Sequence, residues 1–592
     1  MANSDRLTHP LILLVLGAVL FLGTIFAPPS LMDDVDAVNA QIARNMLDSG
    51  DWVTARINGV AYLEKSPLLY WLIAACYAVF GVSDWAARLP TALGAIGLIW
   101  TTSALGRWGF GRRAGFYAGL ALGSSIGLFL FTRIIVPDAL LTLAVTLALY
   151  CFLRALEEEK PGWAMGFWAS MGAGMLLKGL LAALVPVASA SLYLLFTRQL
   201  FQRRPWRLLR PVSGVLLCLA IYAPWVVLAS WRNPPVFDFT LRSEPGAYLG
   251  FFWFYFINEH VLRFLNLRYP RDYNTVPRLA FLLLHLVWLF PWSAFLPAAV
   301  RGWESLADRR AARLRLLASI WIVFLLVFLS LSTTQEYYSM PCYPAFALLL
   351  GAAVAQGPRR WVAAGYGTLA LLGAAMASAA GVVLFLVRGA SEAGDISSAL
   401  RPNPEAYTLA LGHLQDLTVR SFAYLRGPLL LAGVALSAGT LAAWFLRRGP
   451  AAPLCLAAMM ALCAHAARQA MKVFDPYLSS RPLAEAIRRA PEGMLIIEGH
   501  YYPASSVAFY TGRRALLLNG RADNLIYGAA APGAPPVFIE DADLARLWQQ
   551  EEPLYLVAPA SSRPRLGRLL GPVQVLAEGG GKFALSNRPA TE

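Results

Sequence analysis

The chain has 592 residues, of which 58% are hydrophobic and 14% charged, with a mean hydropathy of +0.53. That balance excludes a soluble globular protein of this size and implies a polytopic helical membrane protein. The formal net charge of +15 does not indicate nucleic acid, because the arginines cluster in short loops between apolar runs, as they do where a membrane protein sets its orientation. The six cysteines lie in or beside apolar runs with no CxxC spacing and read as buried small hydrophobes.

The first apolar run, residues 11–27, has no small-residue cleavage site after it and is followed by further runs, so it reads as a retained helix and not a signal peptide. Basic loops at 106–113, 198–210, 301–315, 357–360 and 447–449 are assigned to the cytoplasm. The helices between them are then 11–27, 84–105, 114–132, 138–155, 163–177, 180–197, 211–230, 279–299, 314–332, 340–356, 361–388, 428–446 and 452–470. This gives about 13 crossings, with the N-terminus inside and the C-terminus outside. The run 67–81 must not cross, or the alternation breaks; it reads as juxtamembrane or half-inserted.

The same assignment sends the unusual polar residues to one side. Asp33, Asp34 and Asp36 follow the first helix, and Glu64-Lys65 lies in the same outer loop, 28–83. Arg133 and Asp138 sit at an outer turn, Lys178 in a tight outer hairpin, and Glu259, His260, Arg263, Arg268 and Arg271 in a long outer segment. Gln335, Glu336, Tyr337 and Tyr338 fall at another outer helix end. Each of these alone can be read as a helix cap or a snorkelling side chain. Charges at membrane depth are expensive, and so many on one face point to a site. Val35, Val38, Ile42 and Met46 recur at helical spacing, so the aspartates are expected at the start of an amphipathic helix lying on the outer membrane surface. Capping accounts for one aspartate there but poorly for three.

The inventory is carboxylates, cations, a histidine and tyrosines. No glycine-rich phosphate loop or Walker pattern occurs on that side. Arg and Lys suit an anionic headgroup, and a carboxylate suits a base that accepts a hydroxyl proton. Glu64 and His260 can share a divalent cation, Zn or Mg/Mn, although no cofactor is required by the pattern.

The order of motifs resembles a known family. An acidic cluster, GDW (50–52), LEKSPLLYW (63–71), Arg133 with Asp138, LLKG (176–179), NEHVLRF (258–264), FPWS (290–293) and a YxxP at Tyr338 succeed one another over residues 11 to 360. They resemble the bacterial aminoarabinose transferase (ArnT) type of lipid-linked-sugar glycosyltransferase, relatives of the protein O-mannosyltransferases with the GT-C membrane fold; EKSPLLYW is the most specific of them. The resemblance implies an inverting transfer on the extracytoplasmic face of the bacterial inner membrane. The donor would be a polyprenyl-phosphate sugar, and the acceptor a hydroxyl of a lipid (lipid A-like), a glycan or a protein. It implies Lys65, Arg263 and Tyr338 as donor-phosphate contacts, with Arg133, Asp138, Lys178 and Glu336 in the same donor site and Glu64 with His260 as metal ligands. The family's Asp-Glu motif is replaced by DDVD, so the base is Asp33, Asp34 or Asp36, with Asp34 favoured and Asp36 next. A lysine frequent in the family four residues before the YxxP tyrosine is Thr334 here.

From about residue 473 the composition changes. SSRPLAEAIRRA reads as a helix with Ser479 or Ser480 as N-cap, and segments 493–499, 514–520, 536–541 and 553–559 read as short buried strands. The expected organisation is therefore an all-α polytopic membrane unit, 1–472, followed by an extracytoplasmic α/β domain, 473–592. EGHYYP (498–503) is read as a strand-end loop with acceptor contact as the alternative. A transporter or flippase of lipid-linked sugars is the main competing function, and a non-catalytic scaffold the second. A transporter favours midplane charges and repeated hydropathy patterns, which this chain lacks.

Overall fold

The computed structural model describes residues 4–243, 246–270, 276–301, 309–332, 335–392, 394–402 and 412–588. Every one of the 13 apolar segments carries helix. Among the described residues, 8 helices are long and apolar enough to cross a membrane, or up to 9 if a bent pair is counted as one span. That pair, Arg278–Trp288 and Trp292–Arg301, turns by 97°, so 279–299 is no straight rod. The expected helix 114–132 is also interrupted, into Arg112–Gly123 and Ile126–Phe131; Ser124 and Ser125 at the break bond their hydroxyls back to Leu120 and Leu122 carbonyls. Residues 67–81 form the 13-residue helix Leu68–Phe80, roughly 20 Å long at 1.5 Å per residue and too short to span a ~30 Å hydrocarbon core.

Small residues set the closest helix contacts. A Cβ on Gly115 would lie 2.3 Å from the Arg107 nitrogen, and one on Gly351 would lie 2.4 Å from the Ala118 nitrogen. Asp84–Phe110, Arg112–Gly123 and Tyr343–Gln356 therefore meet backbone to backbone, the membrane substitute for hydrophobic association.

The acidic stretch departs from expectation. Val35–Ser49 is a helix, but it is buried rather than lying on a membrane surface. It packs on Leu68–Phe80 and on Ser505–Thr511 of the C-terminal domain, with Val38, Ile42 and Met46 in a core shared with that domain. Val35 of the expected stripe is 37% exposed, and the other three face the C-terminal domain, since periodicity gives an apolar face but not what covers it.

After a small hairpin of β1 (Arg56–Ile57) and β2 (Val60–Ala61), strands return only near the C-terminus. β3 (Met494–Glu498), β4 (Ala515–Leu518), β5 (Phe538–Ile539), β6 (Leu554–Pro559), β7 (Gln574–Gly579) and β8 (Lys582–Ser586) form a six-stranded sheet of order β5-β4-β3-β6-β8-β7. The first four pair in parallel and β8 is antiparallel to β6 and β7. Both faces are covered. Leu495, Ile497, Leu517, Tyr555 and Val557 enter the core shared with the Val35–Ser49 helix. Ile496, Leu518, Leu556 and Phe583 pack against Leu544 and Leu566 on the other side, which is why these strands read as continuous apolar runs. The boundary expected at 473 falls inside a helix, Ala452–Leu478; the α/β unit begins after it, at Arg481–Arg489. Ser480 stands at that helix's N-cap without capping it, because its hydroxyl donates to Asp33; Ser479 Oγ accepts the Arg481 N–H instead.

Within the helical unit, Asp36 and Arg88 tie the first outer loop to the helix Asp84–Phe110. Arg88 donates to the carbonyls of Ile25, Pro29 and Ser30 and meets Asp36 Oδ2 at 3.3 Å. Asp36 is 1% exposed and also accepts the N–H groups of Met32 and Ile135. Burial pushes its carboxyl above the ordinary range against the pull of Arg88 and those N–H groups. Removing one partner of a buried pair strands the other charge. Arg88→Met should therefore lower stability by about 3–5 kcal/mol, read as a fall in the thermal midpoint in detergent. A change no larger than that of Arg546→Ala, which is exposed, would contradict it.

Candidate active site

The expected outer-face residues converge on one cavity of about 1730 Å³. Its wall is built from the 33–36 and 64–66 loops, the 133–138 turn, Lys178, the 259–268 segment, 335–338, and the α/β domain through His500, Tyr502 and Lys582. Arg271 and Thr334 lie outside the described residues.

A continuous chain of charges runs along it. Lys65 Nζ is 3.1 Å from Glu64 Oε1, and Arg268 bonds Glu64 Oε2 at 3.0 Å and, through Nε, Glu259 Oε1. Glu259 Oε2 meets Arg263 at 2.6 Å, and Arg263 donates to the Tyr338 hydroxyl at 2.7 Å. Lys178 Nζ meets Asp138 Oδ1 at 2.6 Å and stands 4.4 Å over the Tyr338 ring. Four cations and three carboxylates are thus joined through one tyrosine. Burial works against the charge of Glu259, but Arg268 and Arg263 outweigh it and hold the carboxyl below the ordinary range. Among the four cations the Lys65 side chain is the most open, at 36% exposed against 20%, 19% and 3% for Lys178, Arg263 and Arg268. It is the ammonium best placed to meet an anion in the cavity. Glu336 is buried on the same wall.

All three aspartates border the cavity, and of them Asp34 is the exposed residue. Asp36 is enclosed, with its carboxylate engaged by Arg88 and the N–H groups of Met32 and Ile135. Asp33 is likewise engaged, by Lys582 at 2.6 Å, the Ser480 hydroxyl at 2.7 Å and the Ser506 N–H at 2.9 Å. Asp34 itself has φ 74° and ψ −140°, a region a non-glycine residue adopts at a cost on the order of 1–3 kcal/mol and keeps only when its surroundings dictate it. Arg133 also differs from expectation. It is buried over the Phe129 ring and bonds the Thr24 carbonyl and hydroxyl, tying the 133–138 turn to the first helix and not to the cation chain.

Glu64 and His260 do not fit a divalent cation. Glu64 faces Lys65, Arg268 and the Tyr62 hydroxyl, which donates to it at 2.5 Å; a metal there would sit among cations. His260 uses both ring nitrogens: Nδ1–H meets the Tyr255 carbonyl at 2.6 Å and Nε2 accepts the Leu180 N–H at 3.2 Å. Burial pushes its pKa down, in keeping with a neutral ring in that role. Among the described residues no group of three or more His, Cys, Asp or Glu is arranged to hold a metal. His260 instead holds the hairpin that carries Lys178.

Sequence reasoning noted Arg268 and Glu259 without giving them a role, and it missed Tyr62 and the reach of the α/β domain. Tyr502 of EGHYYP has its hydroxyl 3.2 Å from that of Tyr62 and accepts the Asp34 N–H on its carbonyl. The loop reading of 498–503 holds, and the loop reaches the cavity. Only the aromatic pair Tyr501-Tyr502 hinted at it.

The chain is similar to several known proteins. The profile of the family described as dolichyl-phosphate-mannose-protein mannosyltransferase matches residues 64–228. An undecaprenyl phosphate-alpha-4-amino-4-deoxy-L-arabinose arabinosyl transferase of Pseudomonas fluorescens is 31% identical over 328 residues, 53% of this chain and 52% of the relative. A counterpart from Pseudomonas aeruginosa is 31% identical over 330 residues, 54% of each. The chain thus matches about half the length of these curated relatives. The crystal structure of ArnT from Cupriavidus metallidurans bound to undecaprenyl phosphate superposes with a TM-score of 0.81 over 99% of both chains at 24% identity.

Two tests follow. EDTA dialysis should leave the thermal midpoint of the purified protein unchanged; a fall reversed by Zn²⁺ would show the donor set to be misread. Gly179 has φ +67°, and a Cβ there would lie 2.3 Å from His260 Nε2. Gly179→Ala should destabilise by about 1–3 kcal/mol, and His260→Ala in the same chain should recover part of it in thermal unfolding. Over about half its length this chain is similar in sequence to these arabinosyl transferases, and over nearly all of it its fold matches that of the Cupriavidus metallidurans ArnT crystal structure.

Proposed function

We propose that the protein is an inverting glycosyltransferase of the bacterial plasma membrane. It moves a sugar from a polyprenyl-phosphate donor to a hydroxyl of a lipid, glycan or protein on the extracytoplasmic face. In this reading the helical unit crosses about 13 times and the α/β domain stands outside. The observation that carries it is convergence. Residues that the loop-charge bias assigns to one side, from Asp34 to Tyr338, line a single cavity with a cation chain and an exposed carboxylate.

The chemistry follows from those groups. Asp34 accepts the proton of the acceptor hydroxyl as its oxygen attacks the anomeric carbon. A new glycosidic C–O bond forms on the face opposite the leaving group. The C–O bond to phosphate breaks, and its electron pair departs with the polyprenyl phosphate. The released monoester carries up to about one more negative charge than the donor diester. Lys65, the open end of the chain, with Arg263 and Lys178, stabilises that growing charge from fixed positions. Apolar helix surfaces bordering the cavity, including Leu436 and Met460, suit a polyprenyl tail.

The test is turnover in detergent with a panel of radiolabelled polyprenyl-phosphate sugars and membrane lipid extract. Asp34→Asn should lower transfer by about 10²–10⁴-fold while still binding donor, and Lys65→Ala should weaken donor binding as well. No transfer from any donor, with wild type and variants moving labelled lipid equally across vesicles, would overturn the enzyme in favour of a transporter.

A further inference from the structure

The backbone at Asp34 is held almost entirely by the far end of the chain. Asp33 N–H donates to the Leu478 carbonyl at 2.8 Å, and Asp34 N–H to the Tyr502 carbonyl at 2.8 Å and the Ser505 hydroxyl at 2.9 Å. The Ser505 hydroxyl returns a bond to the Asp34 carbonyl at 3.3 Å. Asp33 Oδ1 takes the Ser506 N–H, while Oδ2 takes Ser480 and Lys582. Every one of these partners comes from residues 478 to 582.

Lys582 lines the cavity, yet it is not built to bind a ligand there. Its ammonium has three donors and three acceptors: Asp33 Oδ2 at 2.6 Å, Ser480 Oγ at 3.0 Å and the Pro503 carbonyl at 2.5 Å. The turn that presents it, Gly580-Gly581, has positive φ at both residues, the backbone of a tight hairpin between β7 and β8. A Cβ on Gly580 would lie 1.8 Å from the Pro476 carbonyl, and its N–H donates to Asp395. The hairpin tip is therefore seated on the last long helix, and Lys582 projects from a fixed base.

We propose that the Asp33–Lys582 pair is a positioning device, through which the α/β domain holds Asp34 in its unusual backbone conformation and so sets the aim of its carboxylate. The inference rests on the transferase reading with Asp34 as base. Lys582 and Asp33 touch no substrate. Both act through residue 34, and the donor-phosphate cations belong to other loops.

The experiment measures kcat and donor KM of the full-length protein for Lys582→Met, Lys582→Arg and Asp33→Asn. Asp33→Asn is isosteric and keeps an acceptor for the Ser506 N–H. Amide hydrogen exchange over residues 32–37 is measured alongside. Lys582→Met and Asp33→Asn should each lower kcat by about 10- to 100-fold, with donor KM within about twofold and faster exchange at 32–37. Lys582→Arg, which preserves the charge, should recover most of the loss. Adding Lys582→Met to Asp34→Asn should cost nothing further, since the two act as a unit. If Asp34→Asn abolishes transfer while both clamp variants keep wild-type kcat, the positioning role is overturned and the transferase reading survives. If kcat falls only together with a rise in KM and a lower thermal midpoint, with no recovery by arginine, the pair is merely structural and the inference is likewise overturned. A wild type without turnover would overturn both.

Discussion

A charge removed from water must meet its opposite, and here one guanidinium sets the site. Arg268 is 3% exposed in its side chain and divided between Glu64 and Glu259. Glu64 lies 204 residues before it in the chain. Two segments far apart in the helical unit are thereby fixed relative to each other, because either carboxylate left alone would be strongly destabilising. Lys65 follows Glu64, Arg263 follows Glu259, and Tyr338 closes on Arg263. The cations keep their spacing before any anion arrives, which is what electrostatic preorganisation requires.

Membrane folds make such a network costly to place and easy to recognise. The helical scaffold needs only apolar faces and small residues at close crossings, such as Gly115 and Gly351. Its densest buried charge network is gathered around one cavity.

Much of this was legible in the sequence. Apolar runs located the helices, because burial in lipid requires them uninterrupted, and charge bias assigned the polar residues to one side. Strands β3 to β6 were visible as apolar runs between turn residues. The hairpin β7–β8 was not singled out, since Gln574 to Gly579 is half exposed, has no fully buried residue and carries little apolar signal. Bends were also illegible: the 97° turn near Pro291 leaves hydropathy unchanged. At the site, residue types pointed to phosphate and a base. Partner assignment failed where contacts are non-local. Nothing in DDVD says that Asp33 meets Lys582, that Asp36 meets Arg88, or that Asp34 is the most exposed of the three. The partners of Glu64 and His260, Arg268 and the Leu180 N–H, likewise come from elsewhere in the chain.

The link between Asp33 and Lys582 spans 549 residues of chain and therefore has a consequence in time. During synthesis at about 5–20 residues per second, the acidic loop exists for roughly half a minute to two minutes before its clamp is made. For most of that interval the bonds that Leu478, Tyr502 and Ser505 make to residues 33 and 34 do not yet exist. The loops that carry the cations are therefore made before the contacts that fix the backbone of the acidic stretch, and the charge network precedes the geometry beside it.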